Sequence, residues 1–346
     1  MKYVLLLVLV FVMTGCTDLL LGPQESAKPT AVFDAFWKEF DARYSYFDVF
    51  SVNWDSLYSL YRPRISNDMP DSALAATLDS LIVPLHDAHV SLYGAANGKQ
   101  FSYNSNRRVS DSTFGFSENV VSSYYLGPSA RLGGYGEVVY GSINDSLGYM
   151  HIGTFIDGDD SRGWADRFEY LLDSLRDKKA LIVDIRGNGG GSVGNFRTLA
   201  SEFIPTARPV LQVQFRNGPA HSDFSQPEPE VLSPKGKHPW TKPVALLTDR
   251  YSISAAEWFT LALRTVPSII QIGDTTNGSF SGRLDRELAN GWLYSMSIER
   301  VTDVNGISFE GKGIPPHIVV ARPKITTTNR ITNDVVLDRA IEELSK

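Results

Sequence analysis

Two serines, Ser252 and Ser254, sit on small-residue backbone between a short apolar run, Val244 to Leu247, and a stretch in which Trp258, Phe259, Ala262 and Leu263 recur at helical spacing. A strand-to-helix turn of this kind projects a hydroxyl from a sheet edge while the first free N–H groups of the helix point at the same spot. Such N–H groups can hold the oxyanion formed when a serine attacks a carbonyl, so the chemistry on offer is acyl transfer. The competing reading is a serine that only caps its helix. Elsewhere, His86 and His89 stand three apart, a spacing that could share a helix face and hold a metal. A zinc site would need more ligands. His151, His221, His238 and His317 show no paired spacing, and Cys16 is the one cysteine, so no metal is expected. Asp87 between the two histidines reads as a local cap or a supporting acceptor, and His86 as exposed. The run Gly189, Gly190, Gly191 lets backbone approach a ligand closely. It lacks the Gly-Lys-Ser/Thr ending of a phosphate loop and the register of a dinucleotide fingerprint, so no cofactor is expected.

The segment Tyr251 to Glu257 resembles the Ser-x-Ser-Ala-x-Glu turn of the tail-specific (C-terminal processing) proteases and their tricorn-core relatives. Leu181 to Ser192 is similar to that family's apolar strand followed by Asp-x-Arg-x-Asn-x-Gly-Gly, and Ile272 to Gly278 to its Gly-x-x-Thr-x-Gly segment. The resemblance implies a crotonase-like α/β core and a nucleophile on Ser254. It also implies an oxyanion hole formed by the N–H groups of Gly191 and Ala255. In the better-known branch a lysine follows the Thr-x-Gly as general base; here that position is Ser279, and no lysine occurs between Lys242 and Lys312. The tricorn-like branch uses Ser-His-Glu instead. Leu85 to Ser91 resembles its Leu-x-Asp-Gly-His-Thr element, which implies the base on His89. Phe309 to Pro316 resembles its Glu-x-x-Gly-Val-x-Pro element, which implies the orienting carboxylate on Glu310. Triads are recognised by role rather than chain order, so the order His, Ser, Glu is no obstacle. The expected activity is a serine endopeptidase acting on a peptide or protein substrate. A non-catalytic binder on the same fold and an acyl hydrolase of other amides or esters remain alternatives.

The elements that must position these groups follow along the chain. Residues 1–16 read as a signal: Lys2, an apolar stretch from Tyr3 to Met13 too short to span a bilayer, then Thr14, Gly15 and Cys16. The placement of Cys16 resembles a bacterial lipoprotein signal and implies a lipid anchor there, with an ordinary secretory signal as the alternative. Either way export to the cell envelope is expected. Residues 17–29 read as a tether. Residues 30–95 read as a cap of three helices: Phe33, Phe36, Trp37 and Phe40 make one stripe, and Trp54, Leu57, Tyr58 and Tyr61 a second opened by Asn53. Leu74, Leu78, Leu81 and Leu85 make a third, with Asp71 as its expected cap; this helix is expected to deliver His86 and His89.

Residues 96–346 read as the catalytic core, of which 96–145 is a glycine-rich, irregular insertion with β-like pieces such as Glu137 to Tyr140. That span is too short for a PDZ domain, which the tail-specific proteases commonly carry there, so none is expected. From Leu147 strand and helix signals alternate: Gly148 to Phe155, a helix through Trp164 and Leu175, Ala180 to Ile185, a helix through Val193 and Phe203, Val210 to Phe215, the Val244 strand, the serine helix and Ile269 to Ile272. Such alternation predicts βαβ units whose loops gather at one sheet edge. The last part reads as β-rich, with one long strand from Trp292 to Thr302 between Asn290-Gly291 and Asn305-Gly306 turns, a strand from Ile314 to Val320 and a closing helix from Asp334 to Leu344. With 33 basic and 39 acidic residues the net charge is −6, which argues against a nucleic-acid partner.

Overall fold

Aromatic residues at helical spacing wind the start of the chain into α1 (Pro29–Arg43), whose Phe33, Phe36 and Phe40 are fully buried. The computed structural model describes residues 26–106, 116–157, 163–236, 238–320 and 333–346. The signal of residues 1–16, Cys16 and the first part of the tether lie outside the described residues. Asn53 opens α2 (Trp54–Tyr61) by accepting the Ser56 N–H, the expected cap. The next helix, α3 (Asp71–Ile82), departs from expectation: Pro70 holds the N-cap position and Asp71 is the first helical residue with no capping bond. The Asp71 carboxylate still lies where the helix dipole favours negative charge. Pro84 lacks the N–H that would continue the helix, so the chain tightens into a 3-10 turn at Val83–Leu85 and reverses at His86, φ 50°. His86 and His89 therefore lie on a turn beyond the helix and not on its face.

Two strands follow, β1 (Ser91–Ala96) and β2 (Lys99–Asn104), an antiparallel hairpin. Its turn residues Asn97 and Gly98 both have positive φ, as a two-residue hairpin requires. The polar stretch after it is less irregular than its composition suggests. A helical segment spans Glu118 to Leu126, and β3 (Arg131–Gly133) and β4 (Val138–Ser142) form a second hairpin. The alternating part then runs β5 (Leu147–Ile152), α4 (Phe168–Asp173), β6 (Ala180–Asp184), α5 (Val193–Ser201), β7 (Arg208–Phe215), β8 (Glu228–Leu232), β9 (Val244–Thr248), α6 (Ala255–Arg264) and β10 (Ile269–Gly273). The chain closes with β11 (Arg283–Glu287), β12 (Leu293–Ser297), β13 (Glu299–Thr302), β14 (Ile318–Val319) and α7 (Val335–Leu344).

The central sheet has seven strands in the order β14-β10-β9-β6-β5-β4-β3. Its pairings are parallel from β14 through β5, and β4 and β3 add antiparallel edges. In β6 and β9 every residue is buried because both faces are covered: Leu181, Val183, Val244 and Leu246 pack into one core with α5 and α6. Ile182, Ala245 and Leu247 pack on the other face against Val336, Leu337 and Ala340 of α7. The three N-terminal helices share a third core with a four-stranded sheet, β11-β12-β1-β2, to which Trp292, Tyr294 and Met296 contribute.

Two strand expectations need correction. The stretch from Trp292 to Thr302 is two strands in two sheets: the Ser281 Oγ accepts the N–H groups of both Ile298 and Glu299, at 2.9 Å each, which interrupts the ladder there. Accordingly β12 stays in the four-stranded sheet, while β13 joins β7 and β8 in a separate three-stranded one, which also removes β7 from the βαβ series. The expected strand from Ile314 to Val320 shrinks to Ile318–Val319.

Candidate active site

The loops that leave β5, β6, β9 and β10 at their carboxyl ends meet in one crevice, the place where an open parallel sheet gathers its functional groups. Ser254 lies on the loop after β9. It stands at the N-cap position of α6, but with φ 60° and ψ −119° rather than the extended backbone that a cap ordinarily has. A non-glycine residue in that region carries strain on the order of 1–3 kcal/mol and persists only where its surroundings dictate it. Those surroundings are explicit. The Ser252 hydroxyl donates to Ile185 O and the Ile253 N–H to Asn188 O. The Ser254 N–H donates to Ser279 O at 3.1 Å and to Glu257 Oε2 at 3.2 Å.

The loop after β6 lies directly on this turn. A Cβ on Gly190 would stand 2.8 Å from the Ser254 Cβ and 3.1 Å from the Ala255 nitrogen, so only glycine allows the approach. The loop is held by Gly190 N–H to Asn188 Oδ1, by Phe155 N–H to Gly190 O and by Ser192 N–H to Phe155 O. The N–H groups of Gly191 and Ala255 find no acceptor among the described residues. Two unspent donors beside a serine hydroxyl are what a developing oxyanion needs.

His89 occupies the turn after α3. Asp87 organises that turn as a cap: its Oδ1 accepts the His89 N–H at 2.8 Å, its Oδ2 accepts the Tyr44 hydroxyl at 3.1 Å, and its own N–H donates to Ser105 Oγ. Ser295 on β12 donates its hydroxyl to His89 O, which ties the turn to the four-stranded sheet. His86 is exposed. The His89 side chain is 9% exposed, and neither ring nitrogen makes a hydrogen bond. Of the two, only Nδ1 is sealed from solvent. Burial lowers the imidazole pKa below its ordinary value, against the opposing pull of Asp87, so the ring is neutral near pH 7 and able to accept a proton.

Glu310 is buried, with Oε2 accepting the Phe280 N–H at 2.8 Å and Oε1 sealed without a partner. Burial, reinforced by the charge of Asp87, pushes its pKa well above the usual carboxylate range. His89, Ser254 and Glu310 are thus not hydrogen-bonded to one another here. Residues 279–283 run past all three, however: Ser279 O binds the Ser254 N–H, Phe280 N–H binds Glu310, and the charge of Arg283 acts on His89. His89 Nδ1 and Glu310 Oε1 are each buried without a hydrogen-bond partner, and the charge of Asp87 acts on both groups.

Glu257, to which sequence reasoning gave no role, ties the serine turn to residues 276–279. It is fully buried and accepts four hydrogen bonds, from the N–H groups of Ser254, Gly278 and Ser279 and the Thr276 hydroxyl. Burial nevertheless pushes its pKa up to about 7. Its signal was present, since a glutamate three residues after an N-cap serine is the capping-box spacing. Ser279, at the position of the lysine in the better-known branch, is buried and donates its hydroxyl to Asn277 Oδ1 at 2.8 Å. Asp184 and Arg186 form a buried ion pair, with Asp334 as a second carboxylate on Arg186. No cluster of three or more potential metal ligands exists among the described residues.

Comparison with known proteins bears on this geometry. Residues 146–320 match peptidase family S41, and residues 26–82 match the tricorn protease C1 domain. The chain is 28% identical over 190 residues to the carboxy-terminal processing protease CtpA of Bacillus subtilis, a match covering 54% of this chain and 38% of that protein. It is 29% identical over 180 residues to CtpB of the same organism, covering 51% of this chain and 35% of that protein. The chain therefore spans little more than a third of the length of these relatives. A crystal structure described as that of a candidate peptidase from Parabacteroides merdae superposes with a TM-score of 0.79 at 29% identity, over 92% of this chain and 97% of that one.

Proposed function

This chain belongs to peptidase family S41, and on that premise we propose that it is a membrane-tethered serine endopeptidase of the cell envelope, anchored by a lipid on Cys16. Its substrate is a peptide or protein segment. The observation that carries the reading is the turn at Ser254, held in a strained conformation against Gly190 with the N–H groups of Gly191 and Ala255 unspent.

In the proposed mechanism His89 Nε2 takes the Ser254 proton as the hydroxyl oxygen attacks the scissile carbonyl. The oxyanion accepts hydrogen bonds from the Gly191 and Ala255 N–H groups; one such donor typically supplies about 3–4 kcal/mol of barrier lowering. Protonation at Nε2 makes the ring an imidazolium, whose Nδ1–H then donates to Glu310 Oε1. That pairing would give both sealed atoms a partner and would favour the ionised form of a carboxyl whose pKa burial and the charge of Asp87 raise. The imidazolium returns its proton to the leaving amine, and a water activated the same way hydrolyses the acyl-enzyme.

A fluorophosphonate probe tests the reading. The expected result is labelling of Ser254, with cleavage of a peptide library by wild type abolished in Ser254→Ala, His89→Ala and Glu310→Gln. The absence of a hydrogen bond between Glu310 and His89 favours one rival, a non-catalytic binder on the same fold, which predicts no labelling. Labelling without peptide cleavage would point to an acyl hydrolase of other amides or esters. Anchoring is tested separately: Cys16→Ala should abolish incorporation of labelled palmitate and move the protein to the soluble fraction.

A further inference from the structure

Behind the serine helix lies a second hollow, of about 580 Å³, between the end of α6, the start of β7 and the turn at residues 303–305. Two arginines line it, and both spend their visible bonds on neutral acceptors. Arg264 Nη1 donates to Gln271 Oε1 at 2.6 Å and to Pro315 O at 2.7 Å. Arg208 donates to Thr265 O at 2.6 Å and to the carbonyl and hydroxyl of Thr206. Neither guanidinium has an ion-pair partner among the described residues. Asp303, on the same wall, is committed elsewhere, its Oδ1 accepting the N–H groups of Asn305 and Ile307 within its own turn. Burial pulls the Arg264 pKa below its ordinary value and the charge of Asp303 opposes that, without an ion pair between the two. His317 completes the polar side. Its Nδ1 accepts the Gln271 N–H at 2.9 Å, which leaves the proton on Nε2 as a free donor.

The rest of the wall is apolar, with Leu261, Val304 and Phe309. Fixed cations on one side and hydrocarbon on the other, in a volume suited to a small molecule, describe a site for an amphipathic anion. We propose that this hollow binds a small organic anion, a carboxylate on an apolar body, with Arg208, Arg264 and the His317 Nε2–H on the oxygens and Leu261, Val304 and Phe309 covering the remainder. The lining includes none of Ser254, His89, Glu310, Gly191 and Ala255, so the proposal stands whether or not the protein is a peptidase.

The test is titration of the full chain, at constant ionic strength, with N-acetyl-L-leucine, its amide and inorganic phosphate, followed by calorimetry or NMR shifts. Saturable binding of the carboxylate is expected, with the amide and phosphate each at least tenfold weaker. Val304→Glu places a competing carboxylate in the hollow without removing any hydrogen bond, and should weaken N-acetyl-L-leucine at least tenfold. Arg264→Gln should do the same, and where it fails to fold Val304→Glu carries the test. Equal affinity for the amide, equal affinity for phosphate, or unchanged affinity in Val304→Glu would each overturn the proposal.

Discussion

Gly190 and Gly187 offer a matched pair that separates backbone strain from damage to the site. Both have positive φ, 90° and 76°, so alanine at either carries the same left-handed penalty of roughly 1–2 kcal/mol. They differ in what the new methyl meets. At Gly187 nothing lies within 4 Å, whereas at Gly190 the methyl would stand 2.7 Å from the Ile253 carbonyl oxygen and 2.8 Å from the Ser254 Cβ. Backbone cannot swing aside as a long side chain does, so restoring ordinary contact asks the glycine loop and the serine turn to part by about 0.7 Å. Displacements approaching ~1 Å at a reacting centre can cost on the order of 100-fold in rate. Gly187→Ala should therefore lose about 1–2 kcal/mol of stability in urea while keeping its fluorophosphonate labelling rate within a few-fold. Gly190→Ala should lose more stability and fall on the order of 100-fold in labelling rate, measured where both variants remain folded by circular dichroism. Wild-type labelling in Gly190→Ala would refute the placement of the oxyanion donors; equal losses in the two variants would show that strain alone accounts for the effect.

Because burial lowers the His89 pKa, the acid limb of kcat/KM should have its midpoint below the ordinary histidine value of ~6.5, and His89→Ala should remove the limb along with the activity. The stability linkage has a definite sign: the unfolded chain binds more protons there, so the His89 contribution is present above ~6.5 and lost as pH falls toward the folded pKa, readable as a urea midpoint that drops in that window. Asp184→Ala leaves Arg186 buried beside Asp334 alone and should cost about 3–5 kcal/mol by urea denaturation. A cost below ~1 kcal/mol would mean that water reaches the pair. Ser279→Ala keeps the backbone groups that hold Ser254 and Glu257, and should alter turnover by no more than a few-fold; a loss matching Ser254→Ala would make position 279 part of the chemistry.

Local chemistry carried much of the fold. The stripes of α1 and α2, the Asn53 cap, the buried runs of β6 and β9 and the closing helix behind Asp334 follow from periodicity and capping, which act over a few residues. The expectations that failed depended on distant partners. Nothing near Ile298 announces a break, because the hydroxyl that takes its N–H belongs to Ser281. The polarity of residues 99–142 hid β2 and β3 and left β4 as an isolated β-like piece: β2 is half exposed, and β3 and β4 draw their order from pairing with β5 and with each other.

For the candidate site the division is similar. Residue types pointed to the serine turn and the glycine run, since a nucleophile turn and a close-approach loop each require particular residues, while His89 and Glu310 were implied only by the resemblance of their segments to family motifs. Tertiary structure alone decided that three loops converge on Ser254, that Asp87 caps the His89 turn, and that Glu257 binds the segment on which Phe280 also meets Glu310. It also decided the direction in which the carboxyls shift: a carboxyl's pKa depends on how much water its neighbours exclude, and the groups that bury Glu257 and Glu310 come from parts of the chain far from either residue.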